Sequence, residues 1–216
     1  METMSMDICT KDYRSLIKDY VKDTSNSKIL DVGCGIGDFT SLLKGLNNRV
    51  FGTDIVDVRQ NENKKSFSFF LSPKDKISFS DNYFDFVTNF DVIEHVEDDT
   101  LFVNEIYRVT KPGGLVVTIT PNKYRVTNLL RIVSRLKPLV YPMKLGEDVY
   151  GECIHMREYT FREIEGLFRK VGFSDVKVKP FWLGVRCKIL ENIRIKVSTL
   201  YPFGLLSQYI VVEAKK

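Results

Sequence analysis

Glycines at positions 33, 35 and 37 stand two apart directly after the apolar run Lys28–Val32, with Asp31 inside that run. Glycine has no Cβ and adopts positive φ freely, so this spacing lets the chain turn sharply and present N–H groups to a bound molecule. The Asp31 carboxylate over the same place favours a nucleotide-type cofactor carrying positive charge, because a pyrophosphate would be repelled by it. Cys34, between the first two glycines, reads as a small residue in a tight turn rather than a nucleophile. His95 and His155 are the two histidines of the chain, and imidazole is the side chain that takes up a proton near neutral pH. Asp91, Glu94 and His95 are spaced i, i+3 and i+4, which on a helix shares one face and could hold a divalent ion. Helix capping is the plainer account of so short a pattern, and no metal is expected.

The elements around these residues alternate. Apolar positions at helical spacing over Asp12–Val21 predict an amphipathic helix on the sheet edge, followed by strands at Lys28–Val32 and Arg49–Asp54 with a short helix over 39–45 between them. Further strands are expected at Ser66–Leu71 and Tyr83–Asn89, and an amphipathic helix over Thr100–Val109 that Lys111-Pro112-Gly113-Gly114 halts. Leu115–Thr120 is continuously apolar and β-branched, as in a strand buried on both faces of a parallel sheet. Thr160 and Glu163 form a capping box ahead of a helix that Gly172 ends, and strands at Ser174–Lys179 and Gln208–Ala214 follow. Such alternation implies a doubly wound sheet whose ligands sit at the carboxyl ends of its strands, where the glycine turn, Asp54 and Asn89 all fall.

The 216 residues suit a single domain. The apolar runs are interrupted by Arg, Lys, Asn or Pro before the roughly 18 residues a membrane span needs, and Met1–Thr10 shows no export signal. Cysteines at 9, 34, 153 and 187 form no C-x-x-C pair, which argues against a zinc ribbon or a disulfide frame and for the reducing cytoplasm.

In order and spacing, Asp31-Val-Gly33-Cys34-Gly35-Ile-Gly37, Asp54, Tyr83–Val87, Asp91-Val-Ile-Glu94-His95-Val and Lys111–Gly114 resemble a class I S-adenosylmethionine-dependent methyltransferase of the type 11 branch. The likeness runs over residues 25–122 and resumes from His155 to Val178. It implies a Rossmann-like seven-stranded sheet of order 3-2-1-4-5-7-6 with the last strand antiparallel, and S-adenosyl-L-methionine as cofactor. It further implies that Asp31 with the backbone of Gly33, Cys34, Gly35 and Gly37 holds the methionyl part. Asp54 would accept both ribose hydroxyls, and the main chain at Asn89 and Phe90 would face the amino group. Ile55 would wall the purine and Asp75 is the candidate for the adenine amino group. His95 and His155 are the candidate catalytic residues.

Residues 123–144 contain Lys123, Arg125, Arg131, Arg135, Lys137 and Lys144 and no acid. Interleaved with leucine and valine, they predict an amphipathic helical lid over 123–154, and a second insertion is expected over 181–206. Both would roof the site and admit an anionic acceptor, or a lipid-like one at an anionic membrane surface, unless the apolar faces pack on the domain or form a homodimer. The expected reaction is methyl transfer to an O, N or C atom of a small-molecule or lipid-like acceptor. The alternatives are a non-catalytic S-adenosylmethionine-binding protein and an enzyme acting on a macromolecule. Nucleic acid is not the expected partner, because no N/D-P-P-Y/F motif and no added recognition module is present. A nicotinamide-dependent reductase would need glycine where Asp38 stands.

Overall fold

The computed structural model describes residues 13–45, 47–135, 138–181 and 203–216. Cys9, Asp12, Lys137, Cys187 and most of the expected 181–206 insertion lie outside the described residues. The main sheet contains β1 (Lys28–Val32), β2 (Arg49–Asp54), β3 (Ser68–Leu71), β4 (Phe84–Phe90), β5 (Thr110–Pro121), β8 (Ser174–Phe181) and β9 (Tyr209–Lys215). β6 (Met143–Asp148) and β7 (Gly151–His155) form a separate antiparallel hairpin. The seven-stranded order is β3-β2-β1-β4-β5-β9-β8. The first five run parallel, and β9 is antiparallel to both its neighbours. Without the hairpin in the count, this is the expected order.

Neighbouring residues of one strand point to opposite faces, and here each face has its own core. Leu30, Val87 and Val116 pack with α3 (Asp99–Val109) and α5 (Phe161–Val171) through Val103, Ile106, Ile164 and Phe168. Ile29, Phe86 and Val117 pack on the other face with α1 (residues 13–21) and with the segment just after α2 (Asp38–Leu42), through Tyr13, Ile17, Val21 and Leu43. The first helix therefore covers the sheet face rather than its edge. Its Tyr13 ring meets Phe90 of β4, Phe181 of β8 and Tyr209 of β9.

Both long helices begin on side-chain caps, of which those of α5 are the ones the sequence predicts. Asp98 accepts from Leu101 N at 2.8 Å at the start of α3. At α5, Thr160 Oγ1 accepts from Glu163 N and the Glu163 carboxylate accepts from Thr160 N, while Gly172 closes the helix at φ 116°. Thr160→Ala should cost about 1 kcal/mol in urea unfolding. A loss below about 0.3 kcal/mol would mean that packing of Ile164 and Phe168 carries this helix without its cap.

The segment 123–154 is helical only in its first half. α4 (Val126–Arg135) is followed by the β6–β7 hairpin. Pro142 denies the chain a helical N–H, Gly146 and Gly151 take positive φ, and the Asp148 carboxylate accepts from Tyr150 N at 2.8 Å to shape the turn.

Candidate active site

The carboxyl ends of β1, β2 and β4 meet at the glycine turn. Gly33 N and Cys34 N donate to the Thr53 carbonyl of β2 at 2.8 and 3.1 Å, and Gly37 N donates to Cys34 O at 2.9 Å. All three glycines have positive φ, but they do different work. A Cβ on Gly33 would fall 2.3 Å from Val92 Cγ2, and one on Gly37 would fall 2.9 Å from Asn63 Cβ. Those two are glycine because packing leaves no room. A Cβ on Gly35 would meet only the Tyr150 hydroxyl, at 3.4 Å, so Gly35 is the open side of the cradle.

Asp54 ends β2 beside it and is 8% exposed. Its Oδ2 accepts from Gly35 N at 2.8 Å and from the Tyr150 hydroxyl at 2.7 Å; its Oδ1 accepts from Ile55 N at 2.7 Å. The acid is thus a hydroxyl acceptor in place, as a ribose diol requires. Burial, and then the bond to Asp54, raise the Tyr150 phenol far above its ordinary pKa, so the phenol stays a donor. Ile55 is half exposed next to the acid and available as an apolar wall. Asp75 lies exposed in the 73–76 turn. The residue of that loop joined to Asp54 is Ser72, whose N–H donates to Asp54 O at 3.0 Å.

Asp31 does not hang over the pocket. It is 3% exposed, and its two oxygens accept from Thr40 Oγ1 at 2.6 Å and Thr88 Oγ1 at 2.8 Å, bracing α2 and β4 beneath the turn. Burial pushes its carboxyl up to about 6, against those two hydrogen bonds and with a smaller push from the Asp54 charge. Between the ordinary value of 3.8 and about 6, the folded chain keeps a proton that the unfolded chain has released. This group therefore lowers unfolding free energy as pH rises across that window, and by a constant amount above it. Asp31→Asn should flatten that decline by an amount of order 1–3 kcal/mol in urea unfolding between about pH 4 and pH 7. Parallel profiles for variant and parent would refute this account. Cys34 is buried, and burial followed by the charges of Asp31 and Asp54 raises its thiol, which suits a packing role.

After β4 the chain turns through Asp91 at φ 54° into a single 3-10 turn, Ile93–His95. The shared helical face of Asp91, Glu94 and His95 does not form, because the left-handed Asp91 stands outside that turn. Each goes its own way. Asp91 accepts from the Tyr13 hydroxyl at 3.0 Å, Glu94 Oε2 accepts from Thr120 Oγ1 at 2.9 Å, and His95 Nδ1 lies 2.7 Å from the Ile154 carbonyl. Glu94 is 1% exposed, and burial, then the Asp91 charge, hold its carboxyl well above the usual range. Asn89 and Phe90 are buried at the end of β4; the Asn89 amide donates to Thr118 Oγ1 at 2.8 Å.

β7 brings His155 against His95, ring centroids 4.9 Å apart. His155 Nδ1 is 2.8 Å from Glu158 Oε1, and Glu158 is fixed by Arg125 at 2.7 Å and Asn128 at 2.6 Å. The cations of 123–144 are less free than the run suggests, since acids elsewhere in the chain reach them: Lys123 pairs with Glu163, Arg125 with Glu158 and Lys144 with Glu152. Tyr150, Ser72, Thr40, Thr88 and Glu158 were not singled out in the sequence. An Asp-x-x-Gly turn at 148–151 was the one signal that could have found the hairpin carrying Tyr150.

A family model described as "Methyltransferase domain" matches residues 8–178. The demethylmenaquinone methyltransferase of Staphylococcus saprophyticus is 30% identical over 191 residues, covering 81% of this chain and 82% of that protein. That of Geobacillus stearothermophilus is 30% identical over 177 residues, covering 73% and 75%. Among solved structures, a possible histamine N-methyltransferase from Thermotoga maritima superimposes with a TM-score of 0.66 at 16% identity, over 95% of this chain and 88% of that one. A methyltransferase from Archaeoglobus fulgidus gives 0.63 at 20%, over 94% of each. With the strand order, the glycine cradle and a hydroxyl-accepting acid at the end of β2, these matches establish that the chain belongs to the class I S-adenosylmethionine-dependent methyltransferases.

Proposed function

We propose that the methyl acceptor is a lipid-soluble molecule of the demethylmenaquinone type, met at a membrane surface, and that residues 123–154 form the lid admitting it. The observation carrying this is that the segment reaching Asp54 through Tyr150 also exposes Leu130, Val133, Val140 and Val149, each more than half accessible. Apolar side chains beside cations suit an interface with anionic lipid. No helix among the described residues is long and apolar enough to cross a membrane. The acceptor of the curated relatives supports the same reading.

In this reading Asp54 takes the ribose hydroxyls, Gly35 lets the chain come close, and Ile55 walls the purine with Asp75 as the adenine candidate. The main chain of Asn89 and Phe90 meets the amino group. Bound S-adenosylmethionine supplies the sulfonium methyl. The chain's contribution is alignment for in-line displacement and exclusion of water, with His95 and His155 on the acceptor's side of the site. The enzyme would work in the cytoplasm, where Cys34 and Cys153 stay reduced, outside any disulfide.

Incubation with methyl-labelled cofactor and vesicles containing demethylmenaquinone should place label in the extracted quinone. Label passing only to phosphoethanolamine or histamine would overturn the reading. Absence of flotation with anionic vesicles at low salt, together with concentration-dependent dimerisation, would reassign the apolar surface to a homodimer.

A further inference from the structure

Cys153, His95 and His155 come together from two elements. Cys153 and His155 are two apart on β7 and so share a face of the strand. His95 comes from the turn after β4. One ligand atom from each of the three lies within 4.8 Å of the other two. Both rings have Nδ1 committed to an oxygen acceptor, His95 to the carbonyl of Ile154 and His155 to the carboxylate of Glu158. Nδ1 must donate in each, so Nε2 of the neutral ring carries the lone pair. Ile154 lies between the other two residues of the group, so the strand that brings two side chains also orients the third.

We propose that His95, Cys153 and His155 bind one zinc-class divalent ion. A carboxylate or carbonyl behind each imidazole is the arrangement that orients metal-binding histidines and raises their basicity. One thiolate with two imidazoles suits a borderline-soft ion. Ligand atoms on one tetrahedral zinc lie about 3.3–3.7 Å apart, so closing any pair by at most about 1.5 Å completes the group, leaving a fourth position open. Burial lowers the His95 pKa, against the hydrogen bond to the Ile154 carbonyl. Burial and the Asp148 charge raise the Cys153 thiol, a bias that a bound cation reverses by displacing the thiol proton to solvent. The site differs from the Asp91, Glu94 and His95 face suggested by spacing. With the ion bound, the two rings act as ligands and not as proton acceptors.

The test is titration of the full chain with Co2+, after purification without a histidine tag and removal of metal by chelator. Binding of one ion per chain is expected, with a thiolate-to-cobalt charge-transfer band that Zn2+ abolishes. Cys153→Ser should lose the band, His155→Ala should weaken binding at least tenfold, and Cys34→Ser should keep the band. A missing or non-saturable band, or one that survives Cys153→Ser, overturns the proposal. Should Cys153→Ser fail to fold by circular dichroism, alkylation of the parent followed by peptide mass mapping decides: Co2+ must shield Cys153, and equal alkylation with and without Co2+ overturns the site. None of these readouts depends on which acceptor the enzyme uses.

Discussion

Asp54→Ala is expected to raise the dissociation constant for S-adenosylmethionine about 100-fold in calorimetric titration. A charged acceptor contributes about 1.5 kcal/mol or more to each hydroxyl it receives, and two hydroxyls give about 3 kcal/mol, or two decades of affinity. The variant would also free Gly35 N, Ile55 N and the Tyr150 hydroxyl, all of which this one carboxylate gathers. Tyr150→Phe separates the two contributions. It removes one hydroxyl from Oδ2 and leaves the acid, so its affinity should stay within about tenfold of the parent. A change of less than threefold for Asp54→Ala would show that the acid does not hold the cofactor.

Gly33→Ala should lose about 3 kcal/mol of stability, for two separable reasons. Its φ of 75° costs a residue with a Cβ about 1–2 kcal/mol. The new methyl would also stand 2.3 Å from Val92 Cγ2, and overpacking of this kind costs about 1–3 kcal/mol. For a chain of this size the melting temperature should fall by about 10 °C. Adding Val92→Ala removes the clashing methyls and leaves the backbone strain, so the double variant should recover part of the loss in a non-additive way. A single variant melting within about 2 °C of the parent would disprove the close packing of Val92 on this turn.

The parts that sequence made legible are those governed by local chemistry. Gly33, Gly35 and Gly37 mark a turn because φ is a local property, and Thr160, Glu163 and Gly172 mark a helix because caps are. The unbroken run Leu115–Thr120 marks a central strand because both of its faces are covered. The hairpin was not legible, since five of the six residues of β6 are exposed and leave no alternation to read. Asp31 was misplaced for a different reason. A carboxylate beside a glycine turn looks available, and only the fold brings Thr40 and Thr88 to its oxygens. Tyr150 meets Asp54 across 96 positions of sequence, a pairing no spacing rule reaches. The run of cations looked free for the same reason, because Glu158 and Glu163 lie outside it.

The order of strands has a consequence for biosynthesis. β9 lies between β5 and β8, although it leaves the ribosome after the other eight described strands. At about 5–20 residues per second, the edge of β5 waits several seconds for Tyr209–Lys215 after its own synthesis. During that interval Val116, Val117 and Ile119 border an unpaired row of backbone groups, and β8 has no strand to dock on. An open apolar edge of this kind is a template for pairing between chains. Nascent or prematurely terminated chains that stop short of residue 209 should therefore depend on chaperones and be recovered as aggregates, however complete their cofactor cradle.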